Sequence, residues 1–248
     1  MDSPSAYFHH ERMKYTNHSE HYRIDAEVFD YLNHDRVGVD ETRRRQTVLR
    51  LAGRMRGKNV LEVGSGCGWF CKAAAARGAK VTAVDLSQRN LDRIKAADPR
   101  IDTRYGDACD LPCEGMAFDL ITANEVLEHL EKPQHALDHW RRFLAPGGRL
   151  LVSVPYRERI RYSLCIHCNR KTPVNAHLHS FDEQKLRAMI ETTGYRVRRV
   201  MLYNNKALSA LRLNRLLAPF PWWFWRLKDA LWNRMTGKAA LMSVVGER

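Results

Sequence analysis

The chain has 248 residues, a net charge of +13 and 44% apolar residues. This length suits one generous α/β domain, and this apolar fraction can form a packed core, so we expect a folded rather than a disordered chain. No stretch approaches the roughly 18 apolar residues of a membrane span, and the N-terminus lacks the pattern of a signal peptide. We therefore expect a cytoplasmic protein whose six cysteines are reduced or bind metal.

The first part of the chain is polar and predicts two helices, at Asp25–Leu32 and Glu41–Met55. We expect residues 1–58 to form a helical arm or cap, followed by one domain over residues 59–248. In that domain, short apolar runs alternate with helical stretches, which favours a doubly wound, mostly parallel sheet of the α/β class. The predicted strands are Val60–Val63, Lys80–Val84, Ile101–Tyr105, Phe118–Thr122 and Arg149–Val154, and the helices between them are Trp69–Arg77, Ser87–Ala97 and Pro133–Leu144.

Two more strands, Tyr195–Leu202 and Ala240–Val245, bring the predicted sheet to seven strands. Ser180–Glu183 has the pattern of a capping box that opens a helix ending near Gly194. Two insertions, 155–179 and 203–238, interrupt the alternation. Both should leave the sheet at the carboxyl ends of its strands, where open α/β sheets bind ligands, so both are candidate substrate-binding elements.

A glycine-rich turn follows the first predicted strand, over Glu62–Gly68. Asp85 ends the second strand 21 residues after Gly64, a spacing at which an acid can accept hydrogen bonds from ribose hydroxyls. That spacing alone would also fit a nicotinamide dinucleotide. However, the third glycine comes one position early and Trp69 occupies its usual place. The negative charge of Glu62 would repel a pyrophosphate but could hold an ammonium group.

Five sequence blocks, in order, resemble the core of class I S-adenosylmethionine-dependent methyltransferases, particularly those of ubiquinone and menaquinone biosynthesis. The blocks are Glu62–Gly68, Val84–Ser87, Gly106–Ala108, Phe118–Ile121 with Glu125–Leu130, and Leu144–Gly148. The resemblance covers residues 59 to about 154. It implies a Rossmann-like sheet with an antiparallel last strand, and methyl transfer from S-adenosylmethionine to a small-molecule or lipid-like acceptor at O, C or N.

The resemblance also implies which residues hold the cofactor. Glu62 and the turn would hold its methionine part, Asp85 the ribose hydroxyls and Asp107 the adenine amino group. The full predicted set is Glu62, Gly64, Ser65, Gly66, Gly68, Asp85, Leu86, Asp107, Ala108 and Asn124.

Methyl transfer to oxygen or nitrogen also needs a base that removes a proton from the acceptor. The candidates are His129, His177, His179 and Glu128, and each could instead be a structural residue. Without a base that stands out, a non-catalytic cofactor-binding protein or membrane scaffold stays an alternative to an enzyme.

The first insertion contains the pattern of a metal site. Cys165 and Cys168 could present two thiolates, and His177 and His179 could complete a tetrahedral zinc site. The spacing lies outside the common zinc-finger patterns, so the alternative is a reduced loop in which one histidine contacts the substrate. The cofactor prediction is therefore S-adenosylmethionine, with structural zinc as a further hypothesis.

The second insertion is basic and rich in tryptophan. From Arg196 to Arg248, eleven Lys and Arg residues stand against Asp229 and Glu247. Tryptophan beside arginine on amphipathic helices is typical of segments that lie on an anionic membrane. Packing on the protein's own domain or in a dimer is the second interpretation. Stacking on RNA bases, which would make the chain an RNA methyltransferase, is the third.

Overall fold

The computed structural model describes residues 18–28, 37–166 and 169–248. The strands are β1 (Asn59–Val63), β2 (Lys80–Asp85), β3 (Asp102–Tyr105), β4 (Phe118–Asn124), β5 (Leu144–Pro155), β6 (Tyr162–Leu164), β7 (Lys171–Pro173), β8 (Arg196–Asn205) and β9 (Ala239–Glu247). The helices are α1 (His18–Val28), α2 (Val39–Ala52), α3 (Trp69–Ala75), α4 (Gln88–Ala97), α5 (Pro133–Arg142), α6 (Glu183–Thr192), α7 (Lys206–Ala210), α8 (Leu213–Leu216) and α9 (Trp222–Thr236).

Seven strands form one sheet in the order β3-β2-β1-β4-β5-β9-β8. The neighbours from β3 to β5 pair in parallel, whereas β9 runs antiparallel to both β5 and β8. The predicted seven-stranded, mostly parallel sheet with an antiparallel last strand is confirmed. Successive apolar residues of the central strands are buried on both faces, as parallel strands covered by helices require.

Two apolar clusters lie on opposite faces of the sheet. On one face, α5 and α6 bring Leu137, Trp140 and Ile190 against β4, β5 and β9. On the other, α2, α3, α4 and α9 supply residues that include Val48 and Trp225. Crossover helices on both faces make the sheet doubly wound, because right-handed connections on either side of β1 place their helices on opposite faces.

The helix predicted to open with a capping box at Ser180 begins later. Asp182 is the N-cap residue, and its carboxylate accepts a hydrogen bond from the Lys185 backbone amide at 2.8 Å. The predicted cap was therefore two residues too early: Asp182 accepts from the Lys185 amide, three residues on, whereas a cap at Ser180 would have accepted from the Glu183 amide.

The two insertions have different structures. Residues 155–179 contain the antiparallel hairpin of β6 and β7, which the sequence pattern did not predict. Residues 203–238 contain the end of β8 and the three helices α7, α8 and α9. No helix in the described ranges has both the length and the low charge that crossing a bilayer would require.

Candidate cofactor and acceptor site

The strand register places the predicted cofactor residues along one edge of the sheet. Val63 of β1 pairs with Val84 of β2 and Ala123 of β4, so Gly64, Asp85 and Asn124 follow at the same level. Asp85 in turn pairs with Tyr105 of β3, two residues before Asp107. The sequence-predicted residues from four strands thus meet at the carboxyl edge, where parallel α/β sheets bind ligands.

The glycine turn is held in shape by Asp85. One carboxylate oxygen of Asp85 accepts a hydrogen bond from the Gly66 amide at 2.7 Å, and the other accepts from the Ser87 amide at 2.9 Å. Gly64 has a φ of 66°, and a Cβ there would lie 2.6 Å from Val126 Cγ2. Any other residue at Gly64 would therefore strain the backbone and displace Val126.

Glu62 lies beneath the turn and is 1% exposed. Its Oε2 accepts hydrogen bonds from the Cys71 amide at 3.0 Å and from Cys71 Sγ at 2.8 Å. Its Oε1 lies 3.4 Å from the donor Asn124 Nδ2. Burial raises the pKa of Glu62 to about 7, although both donors oppose that rise. The carboxyl is therefore poised to lose its proton when a cation binds beside it.

Asp107 and Ala108 form the part of the edge that follows β3. Asp107 accepts a hydrogen bond from the Cys109 amide at 2.7 Å, which fixes the turn after the strand. The Ala108 carbonyl accepts from Trp140 Nε1 at 2.7 Å, so this turn is tied to α5. Both residues are half-buried, as is Leu86 after β2.

Several groups at the edge are arranged for a ligand. A Cβ built on Gly66 would meet no atom within 4 Å, so the backbone there borders open space. Ser65 Oγ and Asn124 Oδ1 are buried and have no hydrogen-bond partner in the described part of the chain. Buried polar atoms normally have partners, so these two fit a polar ligand held against the turn.

A cluster of polar residues lies where the chain leaves β4. The rings of His129 and His177 are 4.6 Å apart and nearly perpendicular. His177 Nδ1 forms a close hydrogen bond with the Glu158 carboxylate, and His129 Nδ1 lies 2.7 Å from the Tyr22 hydroxyl. The Tyr22 hydroxyl also donates to the Ala176 carbonyl at 3.1 Å. Two of the three predicted histidines are thus brought together.

Glu128 lies in the same cluster and is fully buried. Within the described residues, neither of its carboxyl oxygens has a hydrogen-bond partner, and burial holds its pKa well above the usual range. Oxygen or nitrogen atoms of Glu128, His129 and His177 all lie within 4.8 Å of one another. These three residues could hold a divalent cation, since carboxylate and imidazole groups are common metal ligands.

The hypothesis of a zinc site receives no support from the structure. His179 Nε2 lies 2.8 Å from the Leu130 carbonyl, which can only accept, so this nitrogen carries a proton. Among the described residues, Cys165 does not join His177 and His179 in a group with metal-ligand spacing. Cys168 lies outside the described residues.

Helices α1 and α2, before β1, make contacts beside the candidate site that sequence reasoning missed. Arg44 of α2 lies with its guanidinium 5.3 Å from the centre of the Trp69 ring and 3.6 Å from the Glu125 carboxylate. Tyr22 reaches His129 across 107 positions of sequence. No local pattern signals either contact, because both depend on how the arm packs against the finished sheet.

The comparisons with known proteins decide the family. A family model described as a methyltransferase domain matches residues 38–200. The chain belongs to this methyltransferase family. A probable S-adenosylmethionine-dependent methyltransferase of Mycolicibacterium smegmatis is 30% identical over 194 residues, which is 73% of each chain. The chain is therefore an S-adenosylmethionine-dependent methyltransferase.

Similar proteins of quinone biosynthesis match about half of the chain or less. A demethylmenaquinone methyltransferase of Clavibacter sepedonicus is 35% identical over 119 residues, 47% of this chain and 48% of its own. A ubiquinone biosynthesis O-methyltransferase of Coxiella burnetii is 37% identical over 103 residues, 40% of this chain and 44% of its own. The chain thus spans less than half the length of these two relatives.

Solved structures show the same fold. A crystal structure of an S-adenosylmethionine-dependent methyltransferase from Mesorhizobium loti has a TM-score of 0.62. It covers 85% of this chain and 100% of its own at 19% identity. The Rossmann-like methyltransferase fold expected from the sequence is confirmed.

Proposed function

We propose that this methyltransferase acts on a small, lipid-like acceptor of the hydroquinone type and that its cofactor lies along the carboxyl edge from β4 to β3. The observation that carries the proposal is the meeting of Glu62, the glycine turn, Asp85, Asp107 and Asn124 at that edge. The quinone-biosynthesis relatives supply the acceptor class.

The residues of the edge fit the parts of S-adenosylmethionine. Glu62, beneath the turn, suits the ammonium group, and the half-buried Asp85 suits the ribose hydroxyls. Asp107 suits the adenine amino group, with Leu86 and Ala108 beside the ring. The unpartnered Asn124 Oδ1 suits the region of the sulfonium. When bound, the cofactor supplies a methyl group that its sulfonium already activates.

The base in this proposal is His129. The Tyr22 hydroxyl has one proton, which it donates to Ala176, so it accepts from His129 Nδ1. In neutral His129 the basic lone pair is then on Nε2, which can accept a proton from an acceptor hydroxyl. Glu158 orients His177 in the same way, and His177 packs edge-on against His129. His177 is the second candidate, and His179 is held by Leu130.

Contact with an anionic membrane is part of the proposal, because a lipid-like acceptor resides in the bilayer. The basic insertion 203–238, at the carboxyl edge, supports this contact. The cytoplasmic location expected from the sequence stays a prediction. No contact in the described residues favours an RNA acceptor.

The test measures S-adenosylhomocysteine formation with a hydroquinone that carries an apolar tail. Wild-type protein should methylate this hydroquinone and form S-adenosylhomocysteine. His129→Ala should lower kcat by about 100-fold or more with little change in the KM for S-adenosylmethionine, since a base acts on the chemical step. His135→Ala, on the exposed side of α5, is the matched control. Turnover of His129→Ala at the wild-type rate would refute the assignment of His129 as the base. A wild-type enzyme that is inactive on every hydroquinone would refute the proposed class of acceptor.

A further inference from the structure

Helix α9 of the second insertion has two chemically different faces. At 3.6 residues per turn, Trp225 and Asp229 lie opposite the row formed by Trp223, Leu227 and Leu231. Trp225 and Asp229 are completely buried, and the other three are exposed. The tryptophans of this helix therefore have different surroundings: Trp225 is buried against the protein, and Trp223 is exposed.

The buried face fixes α9 to the rest of the protein. Trp222 Nε1 donates to Thr47 Oγ1 at 3.0 Å, and the guanidinium of Arg50 lies 4.7 Å from the Trp222 ring centre. Trp225 Nε1 donates to Asn214 at 3.2 Å. Asp229 accepts from the Asn205 amide at 2.7 Å. These contacts attach one face of the helix to α2, α8 and the end of β8.

The outward face carries large apolar side chains in a continuous row. Trp223 is 64% exposed, Leu227 62%, Leu231 52% and Met235 71%. Phe220 and Leu216, just before the helix, are also exposed. A row of exposed apolar side chains on a helix whose opposite face is buried indicates a surface that another molecule covers. We call Trp223, Leu227, Leu231 and Met235 the α9 row.

The charges around the α9 row have one sign. Lys228 and Arg234 on the helix are exposed, as are Arg212 and Arg215 on the preceding turn. Asp229 is the sole acid between Lys206 and Lys238, and it is buried. The row is therefore bordered by cations without an exposed acid from its own segment, so it complements a negatively charged partner.

We propose that the α9 row is an interfacial anchor that lies flat on an anionic lipid bilayer, with its apolar side chains among the acyl chains and its cations at the headgroups. The arrangement is that of a monotopic amphipathic helix. A second copy of the chain fits less well, because a two-fold contact would bring like charges together. A nucleic acid also fits less well, because three of the four side chains in the row are aliphatic and cannot stack on bases.

The two ends of the insertion lie at the carboxyl edge of the sheet, whereas α9 itself packs on one face of the sheet. The insertion leaves β8 and re-enters at β9 on the carboxyl edge, the edge that holds the cofactor residues. Docking through α9 would keep the protein on the bilayer surface, where a lipid-like acceptor resides. The inference rests on the proposed function in that it specifies its membrane contact, but vesicle binding tests the anchor separately from any acceptor.

The experiment measures sedimentation of the full chain with vesicles of phosphatidylcholine, with or without phosphatidylglycerol. Wild-type protein should bind the anionic vesicles and bind neutral ones weakly. The double variant Leu227→Ser/Leu231→Ser should bind vesicles at least about tenfold more weakly, because two apolar side chains that would move from water into the acyl chains are replaced by polar ones. Lys228→Glu/Arg234→Glu should lose the preference for anionic vesicles. Val28→Ser, an equally exposed aliphatic residue on α1, should bind as the wild type does.

The same variants are titrated with S-adenosylhomocysteine, which α9 should not affect. Unchanged vesicle binding by Leu227→Ser/Leu231→Ser, or equal binding to neutral and anionic vesicles, would overturn the anchor. A loss of dimer mass rather than of vesicle binding would assign the row to a second copy. If the variants bind vesicles poorly but the wild type methylates no lipid-like acceptor, the anchor stands and the proposed function fails.

Discussion

At the residue scale, the candidate site contains two carboxyl groups whose pKa values are raised by burial. Glu62 is almost inaccessible and its pKa is raised to about 7, and burial also raises the pKa of Asp85. A buried carboxyl beside its hydrogen-bond donors Cys71 and Asn124 gains its full negative charge when a cation arrives. Cofactor binding should therefore be coupled to proton release.

The sign of this coupling follows from the direction of the pKa shift. Below about pH 7 the carboxyl of Glu62 is protonated and must lose its proton to hold an ammonium group, so binding weakens as the pH falls. We expect the Kd for S-adenosylhomocysteine to rise about tenfold from about pH 8 to about pH 6. Glu62→Gln should bind more weakly and lose this dependence. Calorimetry in buffers of different ionisation enthalpy would detect the released proton, and an identical pH profile in Glu62→Gln would refute the assignment.

At the element scale, the insertion between β8 and β9 both packs against the core of the protein and presents an exposed face. Arg43 of α2 donates to the carbonyls of Leu217, Ala218 and Phe220, which holds the turn before α9. Trp225 fills the apolar cluster beneath that turn. The helix therefore stabilises the fold through its buried face, and its exposed face is available for contact with another molecule.

Two tryptophans of α9 should differ sharply in their effect on stability. Trp225→Ala removes a fully buried ring and should lower the free energy of unfolding by about 3–5 kcal/mol. Trp223→Ala removes an exposed ring of the same chemistry and should change it by less than about 1 kcal/mol. Chemical denaturation followed by circular dichroism measures both. Equal losses would contradict the described orientation of the helix.

At the scale of the whole molecule, the sheet could be predicted from sequence because its strands are buried, apolar and separated by capped helices. The strand order of the sheet was not predicted, because right-handed connections allow more than one order. The candidate cofactor residues share one edge because each lies at or just after the end of a parallel strand. The hairpin of β6 and β7 escaped prediction, since its strands are short and mostly exposed. The inward orientation of Trp225 escaped it too, because a helix apolar on most sides does not show which side packs.

The contact between Tyr22 and His129 could not be predicted from the sequence either. It joins the arm to the segment after β4, and neither residue carries a local signal of the other. The pairing of His177 with Glu158 likewise depends on the fold of the first insertion. Contacts between separate segments arise only once the sheet and its two layers of helices are assembled.

The central claim is that residues at the ends of four strands form one cofactor site. Calorimetric titration with S-adenosylhomocysteine tests it most directly, on the wild type, Asp85→Ala and the exposed control His135→Ala. We expect binding by the wild type and the control, and at least about tenfold weaker binding by Asp85→Ala with its fold retained, because the ribose hydroxyls lose a charged acceptor. Unchanged affinity in a folded Asp85→Ala protein, or no binding by the wild type, would contradict the account.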